Sequence, residues 1–494
     1  MSSIRLVKDP KRAAAGAELI VAIAPLAFYK KGWLRGLLPN VPEAALIEKS
    51  AAKAQPGQQG ATFSTLSASK TCQRLFVAVL PEKVSRHNSA TRAEAVAQFM
   101  AQAAGKLESK TAVLLGVAQP EHQVAAVAAV GRALPLFQQA SGTKGKKTPV
   151  VSLSASLANG SGLSASSVVK ETLNSVRWAA RMVDTPTAEL DTNTFAREIR
   201  RLVKGLKVRV TEIKGKDLLE KKLGGIHGVG RCAKTPPRLL VLDYNPAGAK
   251  ACLGLVGKGI VYDTGGLSLK PTTGMCNMKS DMGGAAAMAG AFRVLAATGF
   301  KDRVVCALPI AENAIGPDSY RPDDILKMHS GHTVEINNTD AEGRLLLGDA
   351  VSYVGRKYKP DFIADAATLT GAQLLSTGKR HAAIVSNRGG IESRAWSVGR
   401  EAGDLVHPLP FVPEFSEKLF KSKIADMKNS VSDRMDAQSS AAAWFVWAQI
   451  DDLDLPWLHI DLAGPAFRDG RGTGYGVALV SQLLMALKKK DLKD

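Results

Sequence analysis

The chain has 494 residues, 45% of them apolar, enough for two or three domains with sizeable buried cores. Lysine and arginine outnumber aspartate and glutamate 65 to 45, a formal charge of +20, and about two thirds of that excess lies before residue 170. Apolar runs are short: residues 17–27 are broken by Glu18 and Pro25, so a bilayer-spanning stretch of about 20 apolar residues is excluded and no membrane partner is expected. Residues 1–12 are basic but lack a small-residue cleavage pattern, which argues against a secretory peptide. Five scattered cysteines, Cys72, Cys232, Cys252, Cys276 and Cys306, lack Cys-x-x-Cys spacing and fit a reducing, cytoplasmic setting.

In chain order, apolar runs at 75–80 and 111–117 alternate with helical stretches such as 91–107, which predicts a small N-terminal α/β domain over residues 1–165. Residues 141–167, rich in Ser, Gly and Lys and poor in aliphatic periodicity, read as a linker. A helix over 167–183, ended by Pro186, opens the second domain, residues 166–494. There, strand candidates at 239–243, 304–308, 361–365 and 458–462 alternate with helices at 284–298, 344–358 and 436–449. The fold class is therefore α/β with two domains, the larger built on a central, largely parallel (mixed) sheet covered by helices on both faces. Functional groups are then expected at strand ends, where open α/β sheets place their sites.

Charge is concentrated in two places within this apolar background. Asn338-Thr-Asp340-Ala-Glu342-Gly-Arg344-Leu345 sets two carboxylates and a guanidinium within five residues. Upstream lie Lys258-Gly-Ile-Val-Tyr-Asp263, Lys270 and Met278-Lys-Ser-Asp281. Flanking Gly, Ala and Leu residues imply burial, and buried carboxylates are costly unless paired or metal-bound. Asp263, Asp281, Asp340 and Glu342 supply enough oxygens for two divalent ions, which can clamp a hydrolytic water. Lys258 could join only as a neutral amine, with its pKa depressed by neighbouring cations. Asp340 and Glu342, two apart, share a face only in extended chain, so a loop or strand end is predicted.

These residues resemble the leucyl aminopeptidases, a family of di-metal exopeptidases. The segment 338–345 matches the family's eight-residue motif without a substitution, and Asp263-Thr-Gly-Gly, Met278 to Ala286, Tyr320-Arg-Pro, Ala367 to Ala372 and His459-Ile-Asp-Leu-Ala-Gly464 are also similar to it. The resemblance covers roughly residues 168–485. It implies that Asp263 and Glu342 bridge two metals, that Asp340 completes one ion, and that Lys258 and Asp281 complete the other. It places Lys270 and Arg344 at the catalytic positions, the lysine on the oxyanion and the arginine holding a bicarbonate ion that acts as general base. Lys270, Met278, Asn338, Thr368 and Gly371 match substrate-binding positions, implying peptide substrates that begin with leucine or another apolar residue. The resemblance further implies a cytoplasmic homohexamer and metals drawn from Zn²⁺, Mn²⁺, Co²⁺ or Mg²⁺. Cys276 departs from the acidic residue usual at its position, and it is not a ligand position.

Other motifs fail. Lys258 is followed by Gly259 instead of Ser or Thr, which removes a nucleotide-triphosphate loop, and Gly470 to Gly476 misses the dinucleotide fingerprint in every register. His329 and His332 flank a Ser-Gly pair and read as loop or core histidines. The basic first domain suggests nucleic acid as an alternative partner, for a non-catalytic role of the same scaffold. Its charges are spread singly or in pairs except for Lys144 to Lys147, and no aromatic residues interleave with them. A solvated basic surface is the preferred reading.

Overall fold

A computed structural model describes residues 2–141, 148–433 and 435–493. The chain divides into two compact units, Met1–Arg177 with Gly399–Leu405, and Trp178–Val398 with Val406–Asp494.

The first unit contains the strands Ser3–Leu6 (β1), Leu19–Ala24 (β2), Ala61–Leu66 (β3), Arg74–Val79 (β4), Lys110–Gly116 (β5) and Val150–Ser156 (β6). They form one sheet in the order β1-β6-β5-β2-β4-β3, parallel throughout except for β3. The period-two alternation of a strand feeds two separate cores. Leu19, Val21 and Ile23 of β2 face the core built with the helix Ala93–Ala104, while Ile20, Ala22 and Ala24 face the core built with Phe28, Trp33 and Leu34.

The structure corrects the linker expectation for residues 141–167. Residues 142–147, which carry the dense basic run Lys144 to Lys147, lie outside the described residues. Residues 150–156 are β6, between β1 and β5. The serines hid the strand because they occupy one face only. Val151, Leu153 and Ala155 enter the core, while Ser154 Oγ donates to the Lys8 carbonyl (3.2 Å) and Ser156 Oγ accepts from Trp33 Nε1 (3.0 Å). A hydrogen-bonded hydroxyl removes most of the penalty of its burial.

The second unit is built on Val208–Lys214 (β7), Arg238–Tyr244 (β8), Cys252–Gly257 (β9), Gly259–Asp263 (β10), Arg303–Asn313 (β11), Ile325–Lys327 (β12), Thr333–Glu335 (β13), Phe362–Ala367 (β14), Ala382–Ser386 (β15), Val406–Pro408 (β16), Met427–Lys428 (β17) and Trp457–Asp461 (β18). Nine strands form a mixed sheet in the order β16-β15-β18-β14-β9-β11-β8-β7, with β10 also on β11. Its centre, β18-β14-β9-β11, is parallel. The helix Gly283–Ala297 packs on β9, β11 and β14 together with the helix Val477–Ala486. The helix Gly343–Tyr358 packs on the same three strands with Gln438–Trp447. β12, β13 and β17 make a small separate sheet, with β13 and β17 parallel. Among the described residues, no helix is long and apolar enough to cross a membrane.

Candidate metal centre and peptidase site

The central parallel strands all end on one side, and polar residues succeed each last apolar one. Lys258 comes directly after β9, Asp263 closes β10, Asn313 closes β11, Thr368 comes directly after β14 and Asp461 closes β18. Asp340 and Glu342 sit in the loop before the helix Gly343–Tyr358 and Arg344 in its first turn. That helix start carries unpaired N–H groups, which favour a carboxylate beside it. Two glycines let these pieces meet. A Cβ on Gly343 would lie 2.5 Å from Lys258 Cε, and one on Gly284 would lie 2.1 Å from the Ala366 carbonyl oxygen.

The resulting cavity measures about 800 Å³. All eleven residues singled out in the sequence line it: Lys258, Asp263, Lys270, Met278, Asp281, Asn338, Asp340, Glu342, Arg344, Thr368 and Gly371. His329 lies elsewhere, its Nδ1 3.0 Å from Ser352 Oγ and its ring edge-on to Tyr353. Cys276 is exposed and lines no part of the cavity.

The donors fall into two overlapping sets that share Glu342. Asp263, Asp340 and Glu342 each offer an oxygen within 4.8 Å of the others. Lys258 Nζ lies 2.8 Å from both Asp281 Oδ1 and Glu342 Oε1, and it donates to the Thr368 carbonyl at 3.1 Å. Lys270 Nζ bridges Asp263 Oδ2 (2.9 Å) and Asp340 Oδ1 (2.6 Å). Thr368 Oγ1 donates to Asp281 Oδ1 (2.7 Å), and Asn313 Nδ2 and the Gly265 amide donate to Asp263 Oδ1 (2.8 and 2.9 Å).

Burial raises the pKa of Glu342, and repulsion from Asp263 adds to it; burial also raises Asp281 and Asp340. Burial opposes the charge on Lys258, but Asp281, Glu342 and Asp263 outweigh it and hold the ammonium well above its ordinary pKa. Arg344 is lowered to about 10 by burial and remains a cation. Its guanidinium donates to the Asn429 carbonyl (3.0 Å) and lies 5.9 Å from the centre of the Phe420 ring.

These residues fit divalent cations. Asp281 Oδ2 and Glu342 Oε2 are buried oxygens with no hydrogen-bond partner among the described residues. Buried acceptors of this kind are costly unless a cation or donor meets them. Oxygen-rich sets with one nitrogen suit hard or borderline divalent ions.

Sequence reasoning passed over several residues that build the same cavity, among them Asn337, Ser430, Val431 and Gln438 on its walls and Asn313 behind Asp263. Asn313 carried a readable signal, an amide ending an apolar strand. Residues 429–432 carried none, because what they touch lies about ninety positions away.

Comparison with known proteins identifies the family. Residues 177–481 match the family model for the cytosol aminopeptidase family, catalytic domain, and residues 38–143 match the model for M17 aminopeptidase N-terminal domain 2. The chain is 45% identical over 414 residues to the probable aminopeptidase NPEPL1 of Homo sapiens, covering 82% of this chain and 79% of that one. It superposes on leucyl aminopeptidase from Trypanosoma cruzi with a TM-score of 0.91 at 35% identity, over 99% of this chain and 97% of the other. Leucyl aminopeptidase from Trypanosoma brucei in complex with bestatin gives 0.90 at 33% identity, over 98% and 96%. With its buried carboxylate ring at the strand ends and both family models matched in order, this chain belongs to the cytosol aminopeptidase family and is a peptide-bond hydrolase.

Proposed function

We propose that the protein releases N-terminal amino acids, leucine and other apolar residues foremost, from peptides by means of water activated between two divalent metal ions. The observation that carries this reading is the pair of donor sets that share Glu342 inside one cavity. Asp263, Asp340 and Glu342 would hold one ion, and Lys258, Asp281, Glu342 and Asp263 the other. When bound, the ions supply Lewis acidity and lower the pKa of water. Lys258 would have to give up its proton to ligate, and a pair of divalent charges would reverse the field that now keeps it protonated.

With cations on Asp263 and Asp340, the Lys270 ammonium loses its present counter-ions and faces the cavity, where it stabilises the oxyanion that develops on the scissile carbonyl. Arg344, with its Nε hydrogen unpartnered among the described residues, is the group that would hold a bicarbonate near the water. Met278, Asn338, Thr368 and Gly371 wall the space for the first side chain, and Leu369 and Leu374 add apolar surface. The metals are Zn²⁺ or Mn²⁺, with Co²⁺ and Mg²⁺ compatible with the donors. Family resemblance makes a homohexamer in the cytoplasm the working assembly, and mass measurement in solution tests the subunit number.

The direct test is hydrolysis of aminoacyl-coumarin amides by metal-stripped protein, with Mn²⁺ or Zn²⁺ added back and an N-acetylated leucine control. The expected result is metal-restored cleavage of the leucine amide and none of the blocked one. Equal cleavage of both would refute recognition of the free amine.

A further inference from the structure

We propose that Asn337 and Asn429 form a reciprocal amide clamp that sets the position of Arg344 relative to the carboxylate loop, which makes Asn429 a positioning residue for peptide hydrolysis. The inference rests on the proposed roles of Arg344, Asp340 and Glu342.

The parallel pairing of β13 and β17 runs through Val334 with Met427 and Glu335 with Lys428, and the Asn429 amide makes the last main-chain bond, to the Glu335 carbonyl (3.0 Å). Beyond that point side chains replace the ladder. Asn429 Oδ1 accepts from the Asn337 and Asn338 amides (2.9 and 3.2 Å), and its Nδ2 donates to the Asn338 carbonyl (2.6 Å). In return, Asn337 Oδ1 accepts from the Ser430 amide (2.9 Å), and its Nδ2 donates to the Ser430 carbonyl (3.0 Å). Each side chain meets both a donor and an acceptor on the opposite chain, using two separate atoms as a carboxamide allows.

A β-ladder holds backbones about 4.8 Å apart. Interposed side chains can hold two segments farther apart than a ladder does while keeping them fixed, and here both Asn337-Asn338 and Ser430 to Ser432 line the cavity. Asn429 is fully buried, and its own carbonyl accepts the Arg344 hydrogen bond. One residue therefore touches the loop carrying Asp340 and the guanidinium of Arg344 at once. A shift of the clamp moves the guanidinium and the carboxylates relative to each other.

The test uses the full-length, metal-loaded protein and compares Asn429→Ala, Asn429→Asp and Asn337→Ala with the parent. Misplacement of about 1 Å costs roughly 100-fold in turnover, so Asn429→Ala is expected to lower kcat about 30- to 100-fold with KM within about threefold. Asn429→Asp keeps the acceptor but turns an oxygen toward the Asn338 carbonyl, and is expected to rescue little. Metal affinity, read by competition with a chelating dye, is expected to fall about tenfold as the Asp340 loop loosens. In a double-mutant cycle, Asn429→Ala adds less than about threefold to the loss caused by Arg344→Ala, since both act on one group.

Full kcat per metal-loaded site in Asn429→Ala, or losses that add fully in the cycle, would overturn the clamp. Should Asn429→Ala fail to fold, Asn337→Ala carries the same test, because it removes half the clamp and leaves Asn429 in place. Parent-like turnover in Arg344→Ala alone would refute the role of Arg344, a failure separable from that of the clamp.

Discussion

The two units solve the same folding problem and differ in the residue types that stand at the ends of their parallel strands. In the first unit, β2 runs into Pro25, β4 into Leu80, β5 into Val117 and β6 into Leu157. Among its buried polar groups, Glu48 accepts the Leu34 amide (2.6 Å), and the Tyr29 hydroxyl donates to the Ala78 carbonyl (2.9 Å). In the second unit either the last strand residue or its successor is polar or charged each time, Lys258, Asp263, Asn313, Thr368 and Asp461, whereas at the four strand ends named in the first unit only Ser156, which closes β6, is polar. A parallel sheet supplies the floor in both cases, and it is at the ionisable strand ends of the second unit that the cavity opens.

The sharpest way to break this comparison is to remove a residue shared by both proposed ion sets. Glu342→Gln is expected to lower kcat/KM by about four orders of magnitude, since the loss touches both ions, with reduced metal content by elemental analysis. Next in size, Lys270→Ala and Arg344→Ala are each expected to cost about 100- to 1,000-fold in kcat while keeping their metal. Unchanged rates in both would contradict the assigned roles. In the first unit the opposite pattern is expected. Leu114→Ala empties a fully buried position and costs roughly 2–5 kcal/mol of stability, read by denaturant unfolding, with kcat intact at temperatures where the protein stays folded. A large fall in kcat there would mean that the units do not divide stability from chemistry.

The smallest effect concerns pH. Burial, with help from Arg356 and Lys222, pushes His329 down to about 4. The folded state therefore refuses a proton that the unfolded chain accepts below its ordinary value of about 6.5. Stability from the neutral ring is thus complete above about pH 6.5 and is lost as pH falls toward 4, at no more than about 1.4 kcal/mol per unit and less after solvent screening. His329→Gln is expected to flatten that slope, and an unchanged slope would remove His329 as its cause.

Much of this site was legible in the sequence because charge stood out against Gly, Ala and Leu. Asp340 and Glu342 beside an apolar helix had few structural excuses, and the central strands were apolar enough to be read as buried. The hidden parts were long-range or disguised. The serines of β6 mimic a linker until their hydrogen-bond partners in other elements are known. β12, β13 and β17, two or three residues each, are too short to show a period. Asn429 sits in Met427-Lys-Asn-Ser430, a string that reads as an ordinary turn, and its importance lies in a segment it meets only after folding.

Lys258 and Lys270 stand among the carboxylates with their ammonium groups at ion-pair distance. Two ammonium groups thereby offset part of the charge of the four carboxylates from within. Under the proposed function metal uptake would be an exchange, in which Lys258 would surrender its proton to solvent and Lys270 would lose its present counter-ions. Loading should accordingly acidify an unbuffered solution and grow tighter as the solution is made more alkaline.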